Sequence, residues 1–379
     1  MPGPASRFPE PSRLGYRSMI ENLHIDGFRG LDDLDVGPLG RVNVIVGPGG
    51  SGKTNLLEAV FLFCDTGNPA GLNTILQQRG MSVDNRTPTE AADLLSWFAS
   101  MGRDPRACRI SGEWSGVQRC VTIQRTPPTI FAQKVQLVSP GAAAQDITAL
   151  IAQSIAVFKM ETQHGESTWV GSLYASPQGL IGFPAAGAPH FPSRFHGVMA
   201  HRAASQGLAP LWTQVEDRGE SSQVEELLRL LDPDVDSVRV AAGQSSPAYV
   251  RVHHRRLGHV PLEFLGDGFS KALSLACNLV ASAGGVLLVD EIEVSLYIGA
   301  LNTVVSFAIE AARRLDVQLF LSTHNLDVVD AFIDRAEEKD NLHILRLARP
   351  DAKTRFHNID HAHARTLRED IGIDLRRAG

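Results

Sequence analysis

The sequence predicts an α/β protein with a mixed central sheet, an antiparallel β subdomain and a helical insertion. Two short apolar runs, Val42–Val46 and Val286–Val289, have the branched aliphatic content of buried parallel strands, and Val317–Ser322 repeats the pattern. Residues 109–138 alternate between apolar and polar side chains, which favours antiparallel strands with one solvated face. The chain is therefore expected to combine both kinds of sheet.

A glycine-rich loop lies between the first of these strands and a helix. Residues 47–54 read GPGGSGKT, which fills the G-x-x-x-x-G-K-[ST] template of a P-loop NTPase. Glycines let successive backbone N–H groups face an anion, and the following helix presents its positive end to phosphate. Lys53 is expected to reach the β- and γ-phosphates of ATP, and the Thr54 hydroxyl to ligate Mg²⁺. The other nucleotide-binding residues predicted around this loop are Gly47, Gly49, Gly50, Ser51, Gly52 and Asn55.

An arginine earlier in the chain is a further candidate for phosphate binding. Arg29 lies in a turn between two short predicted strands, Ile20–Ile25 and a second one that ends near Asp35. We expect these strands to pack beside the P-loop strand as an antiparallel lip. The Arg29 guanidinium could then reach the nucleotide, and the alternative is an ordinary surface arginine in a turn.

Two acids and a histidine follow the other two buried strands. Asp290 and Glu291 come directly after Val286–Val289, where a P-loop enzyme needs its metal ligand and its base. Asp290 is expected to hold Mg²⁺ through water, and Glu291 to polarise the attacking water. His324 follows Val317–Ser322 at the same sheet edge, where it could donate to a γ-phosphate oxygen and sense whether ATP or ADP is bound.

A second glycine-rich helix start precedes the two acids. Gly266 and Gly268 lie at the mouth of a helix predicted over Phe269–Ser282, where backbone N–H groups and the helix dipole favour an anion. Many helices begin after glycine, so this pattern alone is weak evidence for an anion site. The strand that follows it and ends in two acids makes the prediction more specific.

The bulk properties of the chain are those of a globular protein. It has 379 residues, of which 43% are hydrophobic and 21% charged, and no apolar run is long enough to cross a membrane. The four cysteines are scattered without metal-binding spacing, and the amino terminus lacks an apolar signal core, so we expect a cytoplasmic protein. The net charge of −6 excludes a global basic field for nucleic acid. Local basic clusters, such as the one at residues 253–256, could be a solvated turn or a contact to a DNA backbone.

Four segments are expected along the chain. Residues 1–18 are predicted to be a disordered leader, with Met19 as an alternative start, and 19–138 to form the first half of a nucleotide-binding head with its β subdomain. Residues 139–260 are predicted as a helical insertion, and 261–379 as the second half of the head. Within the insertion we expect helices at Ile147–Lys159 and Gln223–Leu231, the second begun by a capping box at Ser222–Glu225. The insertion's histidines (His190, His196 and His201) are expected at the surface or in turns.

Taken in order, these motifs resemble the ABC-type ATPases. The P-loop is followed by LGDGF at 265–269, by VLLVDE at 286–291 and by STH at 322–324. The residues FRG at 28–30, GKTNLLEA at 52–59 and DEIE at 290–293 are similar to the RecF/OLD-like branch, which includes the AAA-type ATPases of the OLD family. The resemblance spans residues 19–376 and is weakest over 139–219.

The resemblance implies that two heads sandwich two ATP molecules. Gly266, Gly268 and Ser270 of one copy would then face Lys53 and Thr54 of another. ATP would hold a homodimer together, or a higher oligomer built from it, and hydrolysis would release the copies.

Two residues depart from the pattern of the family. Asp267 places a carboxylate where a small polar residue is usual, and Tyr297 lies where relatives often have histidine, so that turnover could be slow. The glutamine of the Q-loop has three candidates, Gln118, Gln124 and Gln133, among which the sequence does not choose.

Two functions are compatible with this reading. The first is an ATP-driven switch in DNA repair or anti-phage defence that works with DNA, with a nuclease or with another effector protein. The second is a slow-turnover, nucleotide-gated scaffold that holds or releases a protein effector without DNA. A transport or small-molecule kinase role would leave the glycine-rich mouth and His324 unexplained, and no membrane partner is expected. The 55 residues after His324 are too few for a Toprim nuclease domain, which we expect this chain to lack.

Overall fold

The computed structural model describes residues 19–65, 69–81, 87–100, 107–126, 156–176, 179–183, 185, 187–188, 191–198, 204–242, 247–296, 298–350 and 353–376. Several predicted features lie outside these residues: the leader at 1–18, a strand over Ile130–Val138, Gln133, His190, His201 and Tyr297.

The described residues form sixteen strands. In chain order they are β1 (Ile20–Asp26), β2 (Leu34–Val36), β3 (Val42–Val46), β4 (Cys108–Trp114), β5 (Val117–Thr126), β6 (Ala156–His164), β7 (Ser167–Ser176), β8 (Gly179–Phe183), β9 (Ser193–His196), β10 (Val235–Ala241), β11 (Tyr249–His254), β12 (Gly258–Pro261), β13 (Val286–Val289), β14 (Gln318–Ser322), β15 (Leu342–Ala348) and β16 (Arg355–Asp360).

Nine α-helices complete the described part of the chain. They are α1 (Lys53–Cys64), α2 (Pro69–Gln78), α3 (Pro88–Ser100), α4 (Ala204–Asp217), α5 (Ser221–Leu231), α6 (Asp267–Ala281), α7 (Ile298–Arg314), α8 (Leu326–Arg335) and α9 (His361–Glu369). No helix among the residues described here is both long and apolar enough to cross a membrane.

The central sheet has six strands in the order β16-β15-β3-β14-β13-β9. Five of them are parallel, and β16 pairs antiparallel to β15 at one edge. Every residue of β3, β13 and β14 is buried, because helices cover both faces of a parallel sheet. Since β14 lies between β3 and β13, the segments that follow these three strands leave the sheet side by side. We call this side the carboxyl edge.

A second sheet is antiparallel and has seven strands in the order β2-β1-β4-β5-β6-β7-β8. Its inward-facing side chains, including Ile110, Val121 and Phe158, share one hydrophobic core with α1 and with Phe320 of the central sheet. The P-loop helix α1 is therefore packed between the two sheets. The predicted α/β fold with a mixed sheet and an antiparallel β subdomain is confirmed.

Two local predictions about these sheets are wrong. The helix expected over Ile147–Lys159 is not formed by its last residues, because Ala156–His164 is strand β6. In that strand Phe158, Met160 and Thr162 are buried in alternation, and neighbouring strands on both sides satisfy the backbone. The lip expected beside the P-loop strand is also wrong, since β1 pairs with β2 and β4 in the antiparallel sheet rather than with β3.

The segment predicted as a helical insertion, residues 139–260, contributes β6, β7 and β8 to the antiparallel sheet and β9 to the central sheet. Its later part contains the helix pair α4 and α5, followed by a three-stranded antiparallel sheet in the order β10-β11-β12. The predicted helix over Gln223–Leu231 is present, but the predicted capping box is not. Helix α5 begins at Ser221 after Glu220, which makes no side-chain cap. The Glu225 carboxylate instead accepts a hydrogen bond from the Val238 amide at 3.0 Å, so a tertiary contact with β10 replaces the local one.

A buried arginine joins the antiparallel sheet to the end of the P-loop helix. Arg119 on β5 is 1% exposed, and its guanidinium donates to the carbonyls of Phe63 (2.6 Å) and Asp65 (3.2 Å). Helix ends leave their last carbonyls without partners inside the helix, and Arg119 supplies the donors for α1. Burial lowers the pKa of Arg119 to about 10, so that it stays charged at neutral pH.

Replacing Arg119 by methionine is expected to lower the free energy of unfolding by about 1–3 kcal/mol, because buried carbonyls lose their donor. Urea unfolding followed by circular dichroism measures the change. Arg365→Met is the control: this arginine pairs with Glu369 on the exposed face of α9, and its loss should cost about 0.5 kcal/mol or less. Equal losses for the two variants would show that Arg119 does not stabilise the contact between sheet and helix.

Candidate nucleotide-binding site

The backbone of the P-loop follows a path that favours glycine at three positions, because Gly47, Gly50 and Gly52 all have a positive φ. A Cβ atom on Gly47 would lie 2.2 Å from the Leu347 carbonyl oxygen of the neighbouring strand, which is a clash. Gly52 has a φ of 101° and turns the chain into α1 from a left-handed conformation. A Cβ on Gly49 or Gly50 would meet nothing within 4 Å, so the outer side of the loop is open toward a ligand.

The Lys53 side chain folds back onto the backbone of the P-loop. Its ammonium donates to the carbonyl oxygens of Gly47 (2.9 Å) and Pro48 (3.1 Å), and lies 3.3 Å from Nδ1 of His324. Burial lowers the pKa of Lys53, while the charges of Asp290 and Glu291 oppose that shift. The cation is thus already within the loop that phosphates would occupy.

The predicted metal ligands are brought together. The Thr54 hydroxyl donates to Asp290 Oδ2 at 3.0 Å, and the Ser322 hydroxyl donates to Asp290 Oδ1 at 2.5 Å. The Ser322 oxygen in turn accepts the backbone N–H of Glu291 at 2.9 Å. A hydroxyl and a carboxylate at this separation are the hard oxygen donors that Mg²⁺ prefers, so Thr54 and Asp290 fit the ion.

The two predicted catalytic residues also meet at the carboxyl edge. Glu291 Oε1 lies 3.4 Å from His324 Nε2, and the two side chains are 34% and 43% exposed, which leaves them accessible to water and ligand. Glu291 has a φ of 48°, a left-handed conformation that is unusual outside glycine and directs the chain sharply out of β13. The His324 backbone is fixed on both sides: its N–H donates to Glu293 Oε1 (2.6 Å), and its carbonyl accepts from Arg376 (2.8 Å).

Arg29 and Asn55 belong to a charged network beside the first turns of α1. Asn55 Nδ2 donates to the Arg29 carbonyl oxygen at 3.0 Å, and the Arg29 guanidinium pairs with the buried carboxylate of Glu58. Arg79 binds the same carboxylate at 2.6 Å and Asn55 Oδ1 at 3.0 Å. Through its ion pair with Glu58, Arg29 therefore stabilises the position of the P-loop helix. Its direct contact with phosphate stays a prediction.

Sequence reasoning missed Glu58 and Arg79 as parts of this network. The signal for Glu58 was a charged residue within the otherwise apolar stretch of α1, whose side chain is 1% exposed in the fold. A buried carboxylate needs a cationic partner, and here it has two.

The glycine-rich mouth precedes α6, and we call residues 265–271 the signature segment. Gly266 has a φ of 87°, and a Cβ there would meet nothing within 4 Å. A Cβ on Gly268 would lie 2.7 Å from the Ser295 carbonyl oxygen, so this glycine allows close contact with residues 290–296, which we call the acidic turn. The Ser270 hydroxyl is buried and lies 3.5 Å from the Leu262 carbonyl oxygen that it donates to.

The signature segment ends in a buried lysine. Lys271 is 0% exposed, and burial lowers its pKa to about 8 against the opposing charges of Glu293, Asp290 and Glu291. Lys271 Nζ and Glu293 Oε2 are both buried, and within the described part of the chain neither atom has a hydrogen-bond partner. The sequence analysis gave this lysine no role.

One histidine was misplaced by sequence reasoning. His196 was expected at the surface or in a turn, but it is 1% exposed at the end of β9. Its carbonyl accepts the Asp290 N–H at 3.0 Å, and its Nε2 lies 3.0 Å from the Ser274 hydroxyl of α6. The error arose because β9 is only four residues long and its parallel partner, β13, lies 93 residues later in the sequence, as the pairing of Ser193 with Val286 shows.

The Q-loop candidates that the structure describes both belong to the antiparallel sheet. Gln118 and Gln124 are both on β5 of the antiparallel sheet, not on a strand of the central sheet. The assignment of a Q-loop glutamine stays open.

Comparisons with known proteins give two family matches. Residues 196–330 match the family described as "AAA domain, putative AbiEii toxin, Type IV TA system", and residues 22–106 match another AAA domain family. A solved structure described as the SmcHead bound to the C-winged helix domain of ScpA has a TM-score of 0.48 to this chain and 12% sequence identity, covering 93% of this chain and 99% of that one.

Curated relatives match shorter stretches. The chain is 30% identical over 125 residues to the DNA replication and repair protein RecF of Idiomarina loihiensis, which is 32% of each chain. It is 48% identical over 44 residues to the OLD nuclease of Thermus scotoductus, or 12% of this chain and 8% of that one. It therefore spans only a minor part of both relatives. In its motif order, its family matches and its assembled P-loop edge, the chain is similar to ABC-type ATPases of the RecF/OLD-like kind.

Proposed function

We propose that the protein binds and hydrolyses ATP and uses the reaction as a switch. The observation that carries this proposal is the meeting of Thr54, Asp290, Glu291 and His324 at one sheet edge beside Lys53. These groups come from three adjacent strands, and together they supply phosphate binding, metal binding and a base.

Each of these side chains has a distinct task in hydrolysis. Lys53 and the loop N–H groups bind the β- and γ-phosphates, and the Glu291 carboxylate accepts a hydrogen bond from the attacking water and takes its proton. The water oxygen bonds to the γ-phosphorus as the bond to the bridging oxygen breaks, and ADP leaves with the bonding pair. His324 donates to a γ-phosphate oxygen. Mg²⁺, held by Thr54 and Asp290, would neutralise phosphate charge when bound.

We further propose a homodimer in which the signature segment of one copy faces the P-loop of the other across ATP. The mouth of α6 is available for such a contact, since the space around Gly266 is open and the adjacent Phe264 is 81% exposed. An exposed aromatic residue beside an anion-binding helix start suits a protein interface.

The proposed biological role is a switch in DNA repair or anti-phage defence, acting with DNA or with a nuclease or other effector. The names of the relatives, a DNA replication and repair protein and a nuclease, support this direction. The basic cluster at residues 253–256, at the end of β11, gives a role in DNA binding little support. There His253 pairs with Asp236, His254 with Asp232 and Arg256 with Asp234, so acids offset most of the local positive charge.

The scaffold alternative is favoured by one observation. Asp267 is the first residue of α6, and its carboxylate would lie near the anionic phosphates of a sandwiched nucleotide. Like charges at that position disfavour the closed dimer and slow turnover. A protein of this kind would bind ATP and release an effector without responding to DNA.

The first test is light scattering of the Glu291→Gln variant with and without Mg-ATP. The amide keeps the shape of the site and cannot accept a proton, so ATP should accumulate in the closed state and the mass should double. Lys53→Ala in the same background removes the phosphate-binding cation and should abolish the shift. A mass that ATP does not change would contradict the sandwich and leave a constitutive scaffold.

The second test distinguishes the switch from the scaffold. ATP turnover of the wild-type protein is measured alone, with double-stranded DNA and with single-stranded DNA at one salt concentration. The switch predicts a several-fold stimulation that falls as salt rises, because phosphate contacts release counterions. Slow turnover that neither DNA changes would favour the scaffold. The Glu291→Gln protein is the blank for contaminating ATPases.

A further inference from the structure

The segment that follows α9 returns to the catalytic histidine. We call residues 370–376 the α9 extension. Its last residue, Arg376, donates from Nη1 to the backbone carbonyl oxygen of His324 at 2.8 Å, although the two residues are 52 positions apart in the sequence. The proposed reaction uses the ring of His324 and assigns no task to this arginine.

Asp374 fixes the orientation of the Arg376 guanidinium. Its Oδ1 accepts a hydrogen bond from Arg376 Nε at 2.9 Å, and its Oδ2 accepts one from Nη2 at 2.7 Å. The same Oδ1 also accepts the Arg376 backbone N–H at 3.0 Å. Nη1 is the remaining nitrogen, and it is the one that contacts His324. Because the guanidinium is planar and rigid, its two bonds to one carboxylate also set the direction of the third bond.

Further contacts hold the α9 extension against the rest of the protein. Leu375 is 1% exposed and belongs to the hydrophobic core to which α8 also contributes. Arg368 on α9 donates to the Ile373 carbonyl oxygen at 2.8 Å, and it binds both carboxylate oxygens of Asp330 on α8 at 2.6 and 2.7 Å. Arg376 therefore extends from an anchored backbone.

The His324 backbone is held from both sides at the point where its ring enters the site. Its N–H donates to Glu293 Oε1 at 2.6 Å, and its carbonyl accepts from Arg376. These two bonds restrain both peptide groups that flank the His324 Cα atom, so they also restrain the direction of the side chain. The ring lies 3.4 Å from Glu291 through Nε2 and 3.3 Å from Lys53 through Nδ1.

The location of this bond favours a role in catalysis over a role in stability alone. The Arg376 and Asp374 side chains are 31% and 21% exposed, and partly exposed ion pairs of this kind contribute little to stability. A small displacement of a reacting group, in contrast, can lower the rate of a reaction strongly. The bond from Arg376 acts on the backbone of a residue that the proposed reaction uses.

We propose that Arg376 is a positioning residue for ATP hydrolysis, whose guanidinium, oriented by Asp374, holds the His324 backbone so that the ring stays beside Glu291. This inference rests on the proposed ATPase function and makes the α9 extension a support of the catalytic pair in the same chain. The imidazole is then already ordered when a γ-phosphate arrives.

The first test compares Arg376→Met with the wild-type protein. We expect the rate of single turnover at saturating ATP to fall by about three- to tenfold while the Kd for ATP stays within about twofold, because the P-loop is untouched. Arg376→Lys keeps the charge but cannot form the fork with Asp374, so it should recover only part of the loss. Arg365→Met is the matched control, since Arg365 pairs with Glu369 on the exposed face of α9, and it should leave both quantities unchanged.

The same substitution in a His324→Gln background separates positioning from stabilisation. Arg376 bonds to the backbone carbonyl, which the glutamine retains, so Arg376→Met should change the thermal midpoint equally in both backgrounds. Its effect on the turnover rate should disappear in the His324→Gln background, because no imidazole is left to position.

The position of the ring is also measured without turnover. In protein labelled with ¹⁵N-histidine, the ring signals of His324 are assigned by nuclear magnetic resonance from their loss in His324→Gln. They should shift in Arg376→Met and keep their positions in Arg365→Met.

Three outcomes would overturn the inference while the ATPase function stands. They are an unchanged turnover rate in Arg376→Met, equal losses of rate in the two backgrounds, and His324 ring signals that do not move. A wild-type protein that binds ATP without hydrolysing it would instead overturn the proposed function. The ring signals would still show whether Arg376 positions His324, so the two failures are distinguishable.

Discussion

The site depends on the hydrogen bonds that the carboxylate of Asp290 accepts. It accepts hydrogen bonds from Thr54 at the start of α1 and from Ser322 at the end of β14, while its own strand is β13. One side chain therefore joins three chain segments that are distant in sequence. Because each donor is a short hydroxyl side chain, the strand ends must lie in a fixed register for these bonds to form. The register of β3, β14 and β13 provides this alignment.

Contacts along the P-loop helix α1 connect this site to the rest of the molecule. At its start it holds Lys53 and Thr54, in its middle Glu58 receives two arginines, and at its end Arg119 binds its last carbonyls. The antiparallel sheet thus acts as a support for the phosphate-binding element. Such support matters for the proposed phosphoryl transfer, where catalysis consists mainly of positioning and electrostatic stabilisation.

The contact between α6 and the acidic turn has a different character. Lys53, Thr54 and Glu58 all make hydrogen bonds, whereas Lys271 Nζ and Glu293 Oε2 have none within the described residues. The start of the P-loop helix is therefore more completely hydrogen-bonded than the contact between α6 and the acidic turn.

The sequence by itself determined the α/β class, the P-loop, and the order of Asp290, Glu291 and His324 along the chain, because these depend on local spacing and on the hydrophobic pattern of single strands. It could not place His196, the strand at Ala156–His164 or the ion pairs of Glu58, because each of these depends on partners far away in the chain. It predicted a capping box before α5 that the fold replaced with a contact from Glu225 to β10. The tertiary structure alone decided that Lys271 would be buried, since burial is a property of the packed elements and not of the residues that compose them.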